Sequence, residues 1–434
     1  MSGRLPAALR AYRLLSAAAG PLTPLFLARR LKRGKEHGGR LAERRGLARM
    51  ARPGGPLVWL HASSVGELSS VLPLIERLRA RGLGVLVTTG TVTSSGLAEQ
   101  RLPRGAIHQF MPLDVPRFVR RFLDHWQPDL ALVVEQDLWP NMILEASARG
   151  VPMILINARL SQRSFQRWTY LRGTIVDLLQ RFDLCLAGTP ADAERLTALG
   201  APRIATAGNL KLDVPAPPAD AKKLAALKDA VVMRPLIAAA STHPGEESAV
   251  IEAHCRLRGN FPGLLTVIAP RHPERGPGVV ELAAAAGLKA ASRSRGERLD
   301  AATDIYVADT VGELGLIYRL APVVFIGGSL VKHGGQNPIE AAKLGAAILH
   351  GPHVFNFAEI YDALDAAHGA ELVADADRLT GGFGAWLSNE AERDRAAEAA
   401  RKTVDALGGA LQRTLQSLEP YLMQLQLRGR NGHA

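Results

Sequence analysis

Short apolar runs and helix-period segments take turns along nearly the whole of this sequence. Runs at 57–62, 84–90, 107–112, 130–135, 152–157, 184–188 and 203–207 are rich in Val, Leu, Ile and Ala. Between them lie segments such as PRFVRRFLDHW (116–126) and SFQRWTYLRGTIVDLLQRF (164–182), whose apolar residues recur at helical spacing. A continuous apolar run is a strand covered on both faces, and strands separated by helices pair in parallel. DVPAPPADAKK, residues 213–223, interrupts the alternation with three prolines and reads as a linker. The alternation then restarts, with strands expected at 235–240, 264–269, 304–309, 323–327, 346–349 and 371–374 and helices such as GEESAVIEAHCRL (245–257) between them. After Asp377 the chain is helical and charged. The expected fold class is therefore α/β, with two doubly wound, Rossmann-like domains whose carboxyl edges face a cleft. The expected divisions are 1–52, 53–214, a linker at 215–223, 224–384 and a helical region at 385–434.

The 434 residues carry 53 Lys and Arg against 41 Asp and Glu, a net charge of +12. Nucleic acid, an anionic membrane surface or an acidic substrate would each suit such a chain. Aromatic residues make up only 5% and do not interleave with a basic stripe, which argues against a nucleic-acid partner. The first fifty residues favour the membrane. LLSAAAGPLTPLFLA (14–28) is apolar but shorter than the roughly 20 residues of a spanning helix, and Pro21 and Pro24 interrupt it. Basic residues follow, among them Arg33, Lys35, Arg40 and Arg44. The segment reads as an interfacial or short anchoring element on the cytoplasmic side, or else as a core helix with a solvated basic face. Cys185 and Cys255 lie far apart and read as small core residues in a reducing compartment.

Polar motifs sit where the strands end. HASSVGE (61–67) follows LVWL and leads into a helix, so Ser64 and Glu67 form a capping box; Glu67 is also a candidate base. VVEQDLWPN (133–141) sets Glu135 and Asp137 at another strand end, and Asn157 and Arg159 end the next. GNLKLD (208–213) brings Lys211 toward the linker, as a cation for the donor or simply an exposed one. In the second half, STHPGEE (241–247), APRHPER (269–275) and DTVGEL (309–314) occupy equivalent positions. The loop GGSLVKHGGQNPIEAAKLG (327–345) pairs glycines with Asn337-Pro338 at a helix start, a setting for a phosphate, with Glu340 one turn in for ribose hydroxyls. Any one of these loops also reads as a helix cap. Asp375 and Asp377 read as helix-capping residues, and no His or Cys cluster has zinc spacing.

Taken in order, HASSVGE, the Glu-x-x-x-Leu-Trp-Pro-Asn segment, NARLS, GNLKLD, STHPGEE, APRHPER, DTVGEL, GGQNPIE and NFAE closely resemble the bacterial 3-deoxy-D-manno-octulosonic acid (Kdo) transferases, from about residue 12 to about 365. The segment at 33–44 resembles them too. The resemblance implies a GT-B glycosyltransferase with an N-terminal membrane-associating segment. It implies inverting transfer of Kdo from CMP-Kdo to the tetraacylated disaccharide bisphosphate precursor of lipid A, at the inner membrane, without a cofactor or catalytic metal. It implies Glu67 as general base, weakened by its helix end, with Glu135 and Asp137 also catalytic. Asp137 stands where the family has Glu. The donor would be bound by Lys211, Ser241, Thr242, Arg271, His272, Gly312, Glu313, Gly334, Gly335, Asn337 and Glu340. Arg33, Lys35, Arg40, Arg44, Ser64 and Gly66 would bind the acceptor. A related transferase or an epimerase using another nucleotide sugar is the alternative.

Overall fold

A computed structural model describes residues 5–231 and 233–431. The chain forms two compact units, residues 1–214 with 408–434, and residues 215–407.

In the first unit the strands are β1 (Leu57–His61), β2 (Gly84–Thr89), β3 (Ala106–Phe110), β4 (Leu130–Val134), β5 (Met153–Ala158), β6 (Leu184–Ala187) and β7 (Ile204–Thr206). They form one parallel sheet in the order β3-β2-β1-β4-β5-β6-β7. β1 lies between β2 and β4, with Val58 in register with Val85 on one side and Leu130 on the other. Every residue of β1 and β4 is buried, which explains the unbroken apolar runs. Alternate side chains serve opposite faces: Leu57 and Trp59 enter one core, Val58 and Leu60 the other.

The second unit repeats the plan with β8 (Leu236–Thr242), β9 (Leu265–Pro270), β10 (Ala290–Ser292), β11 (Ile305–Val307), β12 (Val323–Ile326), β13 (Ala347–His350) and β14 (Ala370–Leu372). Its parallel order is β10-β11-β9-β8-β12-β13-β14. β10 is the one strand missing from the sequence reading. Its three residues, Ala-Ala-Ser, carry neither β-branching nor aromatic bulk.

Five of the helices carry or border the strand-end motifs and the N-terminal segment: α1 (Ala7–Ala19), α2 (Thr23–Lys32), α3 (Val65–Ala80), α4 (Pro140–Ala148) and α5 (Glu246–Leu257). α1 is docked on the first unit. Leu9 is in the core, Tyr12 Oη donates to Asp114 (3.0 Å), and Arg13 pairs with Glu145 (2.6 Å). Leu14, Leu15, Leu22 and Leu25 point outward, each at least 65% exposed. No helix among the described residues is long and apolar enough to cross a membrane.

Three boundaries differ from the sequence reading. The proline-rich stretch belongs to the second unit, which begins at Pro215. Arg319 donates to the Pro217 carbonyl (2.6 Å), and a Cβ on Gly315 would come within 2.4 Å of the Pro218 oxygen. The prolines are thus packed along a helix rather than free. The helical tail divides at Gly408-Gly409. Glu390–Leu407 stays with the second unit, whereas Ala410–Asn431 returns to the first and buries Leu415, Leu418, Leu422 and Leu425 in its core. Gly409 has φ +84, and its N–H donates to Asp213 (2.7 Å), which ties the crossing down. The segment 164–182 forms two helices, Gln162–Tyr170 and Arg172–Leu179, because Leu171 leaves helical geometry just ahead of Gly173.

Candidate active site

In the first unit the strand order reverses between β1 and β4, and ligands of doubly wound sheets bind at such a reversal. HASSVGE leaves β1 and EQDLWPN leaves β4 at this point. Ser64 turns out of the strand and caps α3, accepting from the Glu67 N–H (3.3 Å). Its hydroxyl donates to Glu67 Oε1 (2.8 Å), while the Ser63 N–H donates to Oε2 (2.8 Å). The capping box exists, and it aims a carboxylate. The expectation of a weakened base is reversed. Burial pushes the Glu67 carboxyl above its ordinary 4.5, the charges of Asp137 and Glu135 add to this, and the bonds from Ser64 and Ser63 only partly oppose it.

Asp137 goes the other way. Burial raises it, but His61 and Ser63 outweigh that and hold it below 3.8. His61 Nε2 faces Asp137 Oδ2 at 3.3 Å, within ion-pair reach but not aligned as a hydrogen bond. The other ring nitrogen meets Thr88 Oγ1 at 2.9 Å. Two neighbouring carboxyls pushed in opposite directions are the usual mark of divided acid–base roles.

Glu135 sits at φ +59 and Asn157 at φ +50, both in the left-handed region that a side chain makes costly. Glu135 pairs with Lys211 Nζ (2.7 Å). Asn157 accepts from the Leu210 N–H (3.0 Å) and reaches Glu135 at 3.5 Å, so it joins the two loops. Lys211, in the first unit, is thereby set against Glu135. Gly66 is exposed on the first turn of α3.

Arg33 and Lys35 are exposed. Arg40 and Arg44 are buried, so these two of the cations expected at the acceptor do not belong to a solvated basic face. Arg40 is buried and bonded to Glu43 (2.9 Å), Ser95 (2.9 Å) and Glu99 (2.9 Å). Arg44 is buried against Glu36 (2.8 Å) and the carbonyls of Met111 and Gly90. Both guanidiniums pack on Phe110. Together they pin the N-terminal segment to the sheet edge. His108, beside them, is held down to about 3 by burial and by both arginines.

In the second unit the reversal lies between β8 and β12. Ser241, the last residue but one of β8, lies at φ +57. Thr242 is buried and donates to Glu247 (2.8 Å), so it supports its loop rather than facing a ligand. Arg271 and His272 are exposed. His243 stacks with His333 at 3.8 Å and meets His272 edge-on at 6.1 Å. Burial, those two imidazoles and Arg271 hold it down to about 4. Gly334 and Gly335 lie at φ +99 and +73; a Cβ on Gly334 would strike Asn356 at 2.5 Å. Asn337 accepts from the Ile339 N–H (3.0 Å), and Glu340, raised by burial, lies 3.4 Å from the Asn337 amide. The helix there, Ile339–Lys343, is only five residues long, so a phosphate would depend on the loop's own N–H groups more than on a helix dipole. Gly312 is exposed at φ +81. Glu313 is committed to Arg293, Lys223 and Thr310, which hold it down to about 2. It braces the loop and is not free for a donor. Among the described residues no group of His, Cys, Asp or Glu is arranged to hold a metal ion, and Asp375 accepts from the Arg378 N–H as a helix cap.

A model of the 3-deoxy-D-manno-octulosonic-acid transferase (kdotransferase) family matches residues 39–214. A 3-deoxy-D-manno-octulosonic acid transferase of Haemophilus influenzae is 34% identical over 420 residues, 95% of this chain and 98% of its own. That of Bordetella pertussis is 37% identical over 423 residues, 95% and 99% of the two chains. The chain belongs to the Kdo transferase family. A solved glycosyltransferase from Rickettsia africae superposes with a TM-score of 0.59 at 12% identity, covering 85% of this chain and 99% of that one. The two parallel sheets are those of the GT-B fold.

Within that family frame, the sequence reading missed four residues that the structure places beside the motifs. His61 opens HASSVGE and contacts Asp137. Glu246, in STHPGEE, accepts from four backbone N–H groups: His243 (2.8 Å), Gly328 (2.7 Å), Ser329 (2.9 Å) and Leu330 (3.0 Å). Asn356 donates to His333 O (3.1 Å) and Gly335 O (3.3 Å), and Tyr361 donates to Gln336 O (2.8 Å). The available signal was position: each lies in a quoted motif or a few residues past one.

Proposed function

We propose that the chain is an inverting glycosyltransferase that moves Kdo from CMP-Kdo onto the tetraacylated disaccharide bisphosphate precursor of lipid A, working at the cytoplasmic face of the inner membrane. The observation that carries this is Glu67: a carboxylate fixed through both oxygens, raised in basicity, at the strand reversal of the first unit. In this reading Glu67 takes the proton of the acceptor hydroxyl. The oxygen then bonds to the anomeric carbon as the bond to the CMP phosphate breaks, and CMP leaves with the electron pair. Asp137 and His61 orient the acceptor, and Lys211, held by Glu135, offers positive charge toward the sugar carboxylate. In the second unit, the loop at 327–337 receives the nucleotide phosphate, Glu340 the ribose, and Arg271 an anionic group of the donor. Purified protein incubated with acceptor, Kdo and a CMP-Kdo-forming enzyme should give a lipid product heavier by Kdo in mass spectrometry. CMP, and neither UDP nor GDP, should raise the thermal midpoint. Stabilisation by UDP or GDP, with no Kdo on the lipid, would point to a transferase or epimerase of another nucleotide sugar.

The membrane proposal rests on the outward face of α1 and α2. Leu14, Leu15, Leu22 and Leu25 are exposed beside the exposed cations Arg29, Lys32, Arg33 and Lys35. Apolar side chains with flanking cations suit the boundary of an anionic bilayer. Burying one leucine is worth about 1.5–3 kcal/mol. The double variant Leu14→Asp/Leu25→Asp should therefore lose more than tenfold in flotation with phosphatidylglycerol vesicles. Unchanged flotation would remove these helices from the membrane role.

A further inference from the structure

A pocket of about 270 Å³ opens in the first unit next to the carboxylates. Ser63, whose N–H holds Glu67, and His61 line its polar end. His61 is 1% exposed, and its Nε2 has no aligned hydrogen-bond partner among the described residues. The apolar lining comes from Phe26 on α2, Met111, Leu113 and Trp139. The volume equals about nine waters at about 30 Å³ each, which suits one narrow segment of a ligand rather than a whole glycolipid.

Charge decides what kind of segment. Arg30 and Arg44 also border the pocket, and two arginines suggest a phosphate. Both are already engaged. Glu36 takes Arg30 at 2.7 Å and Arg44 at 2.8 Å. The remaining nitrogens of Arg44 donate to the carbonyls of Met111 (3.0 Å) and Gly90 (2.6 Å). Recruiting them for a phosphate would strand the buried Glu36. The apolar lining, by contrast, is open to a ligand. Phe26 and Trp139 stay 48% and 42% exposed although both are large aromatics. Leu22, four residues before Phe26 and 65% exposed, extends that apolar surface outward.

We infer that this pocket seats the first stretch of one fatty acyl chain of the acceptor, and so helps to hold the acceptor hydroxyl at Glu67. The inference rests on the acylated acceptor of the proposed function. It predicts that the enzyme reads acylation in its own active site: each buried methylene is worth about fourfold in binding. Transfer should be measured with the tetraacylated acceptor and with its de-acylated form in the same detergent. The ratio of kcat/KM values should exceed a hundredfold in the wild type. Leu113→Trp, which fills the pocket, and Phe26→Ala, which removes a wall, should each cut that ratio at least tenfold. Phe26 is partly exposed, so its variant decides the matter if Leu113→Trp fails to fold. Calorimetric titration with dodecyl phosphate below its micelle concentration gives a readout that needs no transfer. Binding to the wild type that is lost in the variants supports the pocket even if neither acceptor receives Kdo, a result that would overturn only the proposed function. Equal ratios and equal dodecyl phosphate binding in wild type and variants would overturn the inference.

Discussion

Glu67→Gln is expected to lower kcat by about 10²–10⁴, the usual worth of a positioned general base. The amide cannot accept the acceptor proton, yet it keeps the shape of the capping box. Its oxygen can still accept from the Ser63 N–H, and its amino group can donate to the Ser64 hydroxyl. Activity should fall while the fold stays. The thermal midpoint sharpens the test. The folded-state pKa of Glu67 lies above its ordinary 4.5, so the fold favours the neutral carboxyl. That preference favours folding below the ordinary value and is lost as pH rises through the folded one. At neutral pH the ionised group is therefore a net burden, and Glu67→Gln should melt no lower than the wild type. The wild-type rate should fall on acidification with a midpoint above 4.5. Asp137, held below 3.8, stays charged through that range; its contribution to stability is present above 3.8 and lost as pH falls through its lower folded value. A variant that keeps more than a tenth of the wild-type kcat at saturating acceptor would remove Glu67 from the base role.

Much of the architecture was legible because parallel strands buried on both faces leave unbroken apolar runs. Nearly every strand lies within two residues of its expected place. The exception, Ala290–Ser292, is alanine-rich and borrows its strand character from pairing with β11. Legibility failed where tertiary contact overrides local pattern. Proline-rich 215–223 looks like a tether in composition, and only the Arg319 bond and the crowding at Gly315 show it packed. Nothing local in 385–434 tells that the chain changes units at Gly408.

At the site, residue types were read more reliably than their states. The Ser-x-x-Glu spacing fixed the capping box, because a cap is a local hydrogen-bond problem. The direction of the Glu67 shift is set first by burial, to which Asp137 and Glu135, distant in sequence, add, and the positive helix end does not outweigh them. Arg40 and Arg44 show the same limit. A run of cations between 29 and 52 reads as a solvated face, but Glu36 and Glu43 lie within the run and draw two of the arginines inside. Thr242 and Glu313 stand in loops that the sequence marks as ligand-facing; one is buried and the other is held by Arg293 and Lys223.

The second large effect is expected at Glu246, 1% exposed. Its Oε2 accepts from His243 and Gly328, and its Oε1 from Ser329 and Leu330. One carboxylate thus gathers the turn after β8 and the glycine turn after β12, at the strand reversal of the second unit. The approach is tight: a Cβ on Gly327 would come within 2.6 Å of the Ser241 oxygen. Glu246→Ala leaves four inward-facing N–H groups without an acceptor, at about 1–3 kcal/mol for each that water cannot reach. The variant should melt far below the wild type, to the point of poor recovery. Glu246→Gln is the more informative substitution. It keeps volume and one acceptor oxygen but turns a donor toward Ser329 and Leu330 or toward His243 and Gly328. The affected turn must then shift, and with it His243 and the loop at 327–337. Folding should survive at a lower midpoint, and KM for CMP-Kdo should rise at least tenfold while KM for the acceptor stays within twofold. The CMP-induced rise in midpoint should shrink in step. Aspartate at this position keeps the charge but shortens the reach, so it should not restore the donor KM. If Glu246→Gln raises both KM values together, the residue stabilises the unit without shaping the donor loop. If the donor KM does not change, the two turns hold their places without it.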